Sequence, residues 1–186
     1  TRISKWLLLI ASLPTSGATA RMRLWRGIKS LGCVSLRDGA YLLVDHEGHA
    51  QALHDLANQT NTEGGQAWVV DVSARSEADN QAFQALFDRS TEHAEIVAGL
   101  IQARKALPSQ TPAEITKTLK RLRKERDAIL RIDFFPNQAS LDAEAAWADF
   151  EEAANTLLSP GEPQPQERPI PSLSRVDYQG RTWATR

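Results

Sequence analysis

The chain predicts an α+β fold: a ferredoxin-like β-α-β-β-α-β unit, then a helical segment of about three helices and a Pro-rich C-terminal linker. Three observations carry this. A short apolar run near the start, Trp6-Leu7-Leu8-Leu9-Ile10-Ala11, is closed by Leu13-Pro14. An Asp38-Gly39 pair lies between two β-forming stretches. From Ser76 onward the apolar spacing changes from two residues to 3.6. With 186 residues, of which 41% are hydrophobic, the chain has side chains enough for a core.

Lys5 to Leu13 reads as a buried strand. Thr15-Ser16-Gly17 breaks it, and Thr15 or Thr19 is the expected cap of a helix reaching Leu31, with Gly32 as its stop. Val34 to Leu36 and Tyr41 to Val44 form a hairpin around Asp38-Gly39. Asp45 is the expected cap of a second helix through Leu53, Leu56 and Ala57, and Ala67 to Val72 supplies a fourth strand. Ser76 and Asp79 resemble a capping box opening a helical stretch through Phe83, Phe87, Leu100 and Ile101 to Leu107-Pro108. Thr111-Pro112-Ala113-Glu114 is a full start signal, followed by a stripe of Ile115, Leu119, Leu122 and Ile129. An Ala-rich acidic helix runs from about Ser140 to Leu158. Five prolines between Ser159 and Pro171 make a stiff linker.

The expected divisions are therefore 1–72, an α/β unit bearing nucleic-acid contact, and 73–158, a helical segment for packing or dimerisation. A linker at 159–175 follows, and 176–186 opens a further domain that is cut off. The first residue is Thr rather than Met, so a trimmed chain is expected.

Composition narrows the function. A single cysteine, Cys33, excludes a disulfide framework and a cysteine-rich zinc site, and it fits the reducing cytoplasm. The longest apolar run is far too short to cross a bilayer, so no membrane partner is expected. No nucleophile-base pair, phosphate loop or carboxylate pair at telling spacing is present, and neither a catalytic residue nor a cofactor is predicted. His46 and His49 beside Asp45 and Glu47 have the ligand types of a metal site but lack further spaced ligands, so no metal is predicted.

The near-neutral total, a net charge of −1, hides a strong asymmetry. Seven basic residues and no acid precede Asp38; seven more lie between Lys117 and Arg131; eight acids and no base lie between Asp133 and Glu167. Such blocks make oriented fields suited to binding. On the first helix Leu24, Ile28 and Leu31 form a core stripe, with Arg21 at its margin. Arg23, Arg26 and Lys29 spread over the opposite side, with Met22 and Trp25 between them. Guanidinium forks grip phosphate, and Trp25 beside them can lie on sugar or base. A solvated surface is the plain alternative; the acid-free N-terminal stretch favours nucleic acid. The second basic block is expected to pair with Asp142, Glu144, Asp149, Glu151 and Glu152, within one chain or across a dimer. That pairing is the basis of the competing reading, a non-enzymatic dimerisation or scaffold module.

Lys5-Trp6-Leu7-Leu8-Leu9-Ile10 with Leu13-Pro14, Arg21 to Ile28 (RMRLWRGI), Leu31-Gly32 and Gly39-Ala40-Tyr41-Leu42-Leu43 resemble the N-terminal domain of the ChrB chromate-resistance regulators. Val176 to Arg186 (VDYQGRTWATR) resembles the junction with that family's second domain. The likeness is detailed over residues 5–44 and 176–186 and rests on order and pattern between them. It implies a chromate-responsive regulator that binds double-stranded operator DNA of its own efflux operon, as a homodimer, through Arg21, Arg23 and Arg26. Metal-dependent nucleases with a similar ferredoxin-like unit carry acidic ligands at the first strand; Ala11 and Ser12 stand there, which disfavours nuclease activity. Chromate, a tetrahedral dianion, calls for convergent guanidinium and N–H donors. Arg181, Trp183 and Arg186 supply those types, with partners expected from the rest of the full-length protein.

Overall fold

A computed structural model describes residues 5–14 and 17–160. Four strands and two helices come first: β1 (Lys5–Ser12), α1 (Ala18–Leu31), β2 (Val34–Arg37), β3 (Ala40–Val44), α2 (His49–Thr62) and β4 (Gln66–Ser73). Then come α3 (Glu77–Ala85), α4 (Ser90–Ala106), a short 3₁₀ turn at Leu107–Ser109, α5 (Pro112–Leu130) and α6 (Gln138–Leu158). The architecture is α+β, with one antiparallel sheet in the order β2-β3-β1-β4.

The central place of β1 accounts for much of its apolar run: one face is buried at Leu7, Leu9 and Ala11, and the other is buried at Trp6 but open at Ile10, which is 40% exposed. Leu7, Leu9 and Ala11 join Leu43 and Ala67 under α1 and α2, together with Leu24, Ile28, Leu53 and Leu56. Trp6 points the other way, into a cluster with Leu42, Val44 and Phe87. In register, Trp6 lies between Val44 of β3 and Val72 of β4. The hairpin turns at Asp38-Gly39, where Gly39 has φ 78°. A Cβ there would lie 2.7 Å from the Ala11 carbonyl oxygen, so both conformation and space require glycine.

Two expected caps are not used. The residue ahead of α1 is Gly17, with no side-chain cap, so Thr19 sits inside the first turn; Thr15 lies outside the described residues. Ahead of α2 stands Gly48 at φ 83° rather than Asp45. His49 secures that entry instead, its Nδ1 lying 2.7 Å from the Val44 carbonyl oxygen. Gly32 does end α1, in the left-handed conformation. Thr111 and Glu114 close a full capping box on α5, with Pro112 in the first turn. The bonds from Thr111 hold the Glu114 carboxyl below its ordinary range.

Four α-helices follow the sheet rather than about three, because the stretch from Ser76 to Leu107 divides at Leu86–Arg89. Asp88 accepts from the backbone N–H and the hydroxyl of Ser90 and so starts α4 afresh. The break also lets Phe87 reach the sheet, where its ring stacks on Trp6 at 5.5 Å. Trp6 donates its indole N–H to Asn80 of α3 at 3.1 Å, and Phe134 and Phe135 close the cluster from the α5–α6 connection. A separate core of Leu100, Leu107, Ile115, Leu122, Trp147, Phe150 and Ala154 holds α4, α5 and α6 together.

Candidate nucleic-acid interface

Helix α1 shows its charged side because its other side packs closely. A Cβ on Gly27 would meet Leu56 of α2 at 2.7 Å, so the glycine permits the two helices to approach. Leu24 and Ile28 are buried in that contact. Arg21, Met22, Arg23, Trp25, Arg26 and Lys29 are all exposed. The five site residues expected from the sequence are thus all accessible, spread around the side of α1 away from Leu24 and Ile28.

They are not equally free. Arg23 is ion-paired with Glu63 at the end of α2, so an acid from beyond the acid-free stretch offsets part of the charge of this helix. Arg21 donates to the Pro14 carbonyl at 3.3 Å, which fixes its guanidinium beside the β1–α1 connection. The Lys29 ammonium lies 5.8 Å from the centre of the Trp25 ring, and Trp25 is 52% exposed. Arg26 has no carboxylate within ion-pair distance among the described residues. A cleft of about 670 Å³ opens between the first half of α1, the end of β1 and the Asp38-Gly39 turn. Its walls are mainly apolar (Leu13, Met22, Leu24, Trp25, Tyr41), with Arg21 and Asp38 in the lining. Such a surface suits a flat ring or sugar, with phosphate held outside by the free cations.

The second basic block behaves differently. Arg126 makes a two-bonded fork to Glu144, both bonds 2.8 Å, while Arg123 pairs with Glu151 and Arg104 of α4 with Asp149. These bonds raise the Arg126 pKa and hold the Glu144 carboxyl below its usual range. The guanidinium carbons of Arg123 and Arg126 lie 5.7 and 5.1 Å from the centre of the Trp147 ring. Of the five acids expected to pair with this block, Glu144 and Glu151 do so within one chain, while Asp149 pairs instead with Arg104, which lies outside the block.

Cys33 is buried, and burial pushes its thiol up to about 12. It stays protonated at neutral pH and lacks the thiolate that nucleophilic or redox chemistry uses. His46 and His49 stack at 5.6 Å beside Phe134. No group of three or more metal-binding side chains occurs among the described residues. A contact between His93 and Asp133, 2.8 Å apart and both buried, has no sequence signal, because 40 residues separate the two. Arg181, Trp183, Arg186, the linker at 159–175 and the start of a further domain at 176–186 lie outside the described residues, apart from Ser159 and Pro160.

Comparison with known proteins places the chain. It is 49% identical over 181 residues to Protein ChrB of Cupriavidus metallidurans, a match that covers 97% of this chain and 56% of that protein. The chain thus spans little more than half of that relative's length. A solved structure, an uncharacterized protein from Mycobacterium tuberculosis, aligns with a TM-score of 0.46 at 15% identity, over 84% of this chain and 63% of the other. The family described as "Protein ChrB, N-terminal" matches residues 21–157, a span that takes in most of α1, the sheet strands after it and almost all of the helical unit. The chain belongs to the ChrB family.

Proposed function

We propose that this chain is the DNA-contacting part of a chromate-responsive transcriptional regulator, acting in the cytoplasm as a homodimer on the operator of a chromate-resistance operon. The observation that carries the reading is the exposed side of α1. There Arg26 and Lys29 stand around Trp25 without carboxylate partners among the described residues, in a member of the ChrB family. Arg21 adds a positioned guanidinium, and Arg23 contributes only so far as Glu63 releases it. The strand and helix order of residues 5–73, with the sheet order β2-β3-β1-β4, supports reading this part as a ferredoxin-like unit.

Binding through phosphates releases counterions, so affinity should fall steeply with salt. The test is a fluorescence-anisotropy titration of a promoter duplex at several salt concentrations, using this chain and the full-length protein. Absence of binding by the full-length protein at low salt overturns the reading. Chromate is assigned to the longer protein, with Arg181, Trp183 and Arg186 contributing. Chromate-dependent release of DNA by this chain alone would overturn that part and move the sensor into the described half.

No catalytic step is proposed, and the high pKa of Cys33 supports its omission. The scaffold reading draws less support, since the pairs between basic and acidic helices are satisfied inside one chain.

A further inference from the structure

The seven basic residues between Lys117 and Arg131 divide by partner once α5 is packed: three arginines are paired, and the three lysines and Arg131 are not, among the described residues. Arg123 and Arg126 turn toward α6, and Arg121 pairs with Glu125 one turn on. Lys117, Lys120, Lys124 and Arg131 remain exposed, with no carboxylate within ion-pair distance among the described residues. At about 100° per residue these four fall within about 60° of one another, opposite buried Ile115 and Leu122. At a rise of about 1.5 Å per residue the stripe is about 21 Å long. Asp127, at its margin, is already taken by Arg126.

The sorting has a chemical logic. A planar guanidinium suits stacking on Trp147 and forked bonds to carboxylates. A compact, strongly hydrated ammonium suits a point contact with a phosphate at a wet surface. The stripe also ends where α1 ends. Gly32, which caps α1, packs against Ile132, next in sequence to Arg131, and Arg89, just ahead of α4, donates to the Gly32 carbonyl at 3.3 Å. Lys29, in the last turn of α1, and Arg131, which follows α5, therefore lie near one joint between the sheet unit and the helical unit.

Resting on the DNA reading above, we propose that the lysine stripe of α5 is a second contact with the backbone of double-stranded DNA, continuing the α1 contact past the Gly32–Ile132 joint. Its partner is the phosphate chain rather than base edges, so it adds affinity without sequence preference.

The experiment is a salt titration of duplex binding by the full-length protein and by its Lys117→Gln/Lys120→Gln/Lys124→Gln variant. All three side chains are exposed, so the fold should persist, and circular dichroism melting checks this. Each lost phosphate contact removes about 0.9 from the slope of log K against log salt, so the variant's slope should be shallower by about 2 to 3. The loss should be equal on promoter and unrelated duplexes, and the triple Lys→Arg variant should retain the parent slope. An unchanged slope in the Gln variant, with Arg26→Gln lowering it by about one, overturns this proposal and leaves the α1 reading standing. A change in self-association without a change in slope also overturns it, assigning the stripe to a contact between copies. If the parent protein binds no duplex at low salt, both readings fall together.

Discussion

On α1, Trp25 stands half exposed with a lysine above its ring; the tryptophan that serves α5, Trp147, is 4% exposed beneath two arginines. Both helices are basic amphipathic segments with a Trp–cation contact, α1 to its own Trp25 and α5 to Trp147 of α6. Packing separates them. Helix α1 packs on α2 through a core that includes Leu53, Leu56 and Ala57, and among the described residues Glu63, at the end of α2, is the acid there that pairs with a cation of α1. Helix α5 lies beside α6, whose Glu144 and Glu151 take two of its arginines out of circulation. A count of basic residues therefore overstates the charge available to a partner, and the excess is read from what the neighbouring helix carries.

Replacing each tryptophan by alanine tests the contrast most strongly. Trp147→Ala should lower the free energy of unfolding by about 3–5 kcal/mol in urea titrations, because it empties the core of α4, α5 and α6. Trp25→Ala should change stability by no more than about 0.5 kcal/mol while weakening duplex binding. Equal costs would erase the distinction.

The arginines come next. Arg26→Ala should leave the melting curve in place and make the salt slope of DNA binding shallower by about one. Arg126→Ala should do the reverse, costing about 1 kcal/mol of stability through the lost fork to Glu144 and the lost cover over Trp147, with the salt slope unchanged. Glu63→Gln sharpens the α1 side further. By releasing Arg23 it should tighten binding a few-fold at low salt and steepen the slope by up to about one.

The smallest effect is a pH dependence confined to the α5–α6 side. The Arg126 bonds hold the folded-state pKa of Glu144 below its ordinary value. The stabilisation is then complete above the unfolded pKa of about 4.3 and is lost as pH falls through the lower folded value. The stability advantage of the parent over Glu144→Gln should shrink as pH is lowered from about 6 to about 3, seen in melts at each pH. An advantage that grows toward acid would reverse the assignment.

Much of the fold was legible because its signals are local. Gly32 as a helix stop, Asp38-Gly39 as a turn, the Ser76 cap and the Thr111–Glu114 box each act within a few residues, and each stands where the sequence placed it. The break at Asp88 is not legible in the sequence, because an Asp two residues before a Ser competes with a continuing helical period, and the period is the stronger signal. Phe87 decides the matter, being buried against Trp6 only if the helix breaks. In the candidate site, the exposed side of α1 was readable from helical periodicity, since one helix fixes its own angles. The Arg23–Glu63 pair was not, because its members are 40 residues apart on different elements.

The sequence by itself determined the element types, the apolar side of each helix and the grouping of basic residues on α1 and α5. These follow from backbone preference and from a fixed turn per residue. Only the tertiary structure decided which of those cations stay free. Ion pairing between elements depends on a few ångströms of separation, set by how helices pack on a sheet or on one another. That is why Glu63 quiets Arg23, why Glu144 and Glu151 hold Arg126 and Arg123, and why Arg26, Lys29 and the α5 lysines are left facing outward.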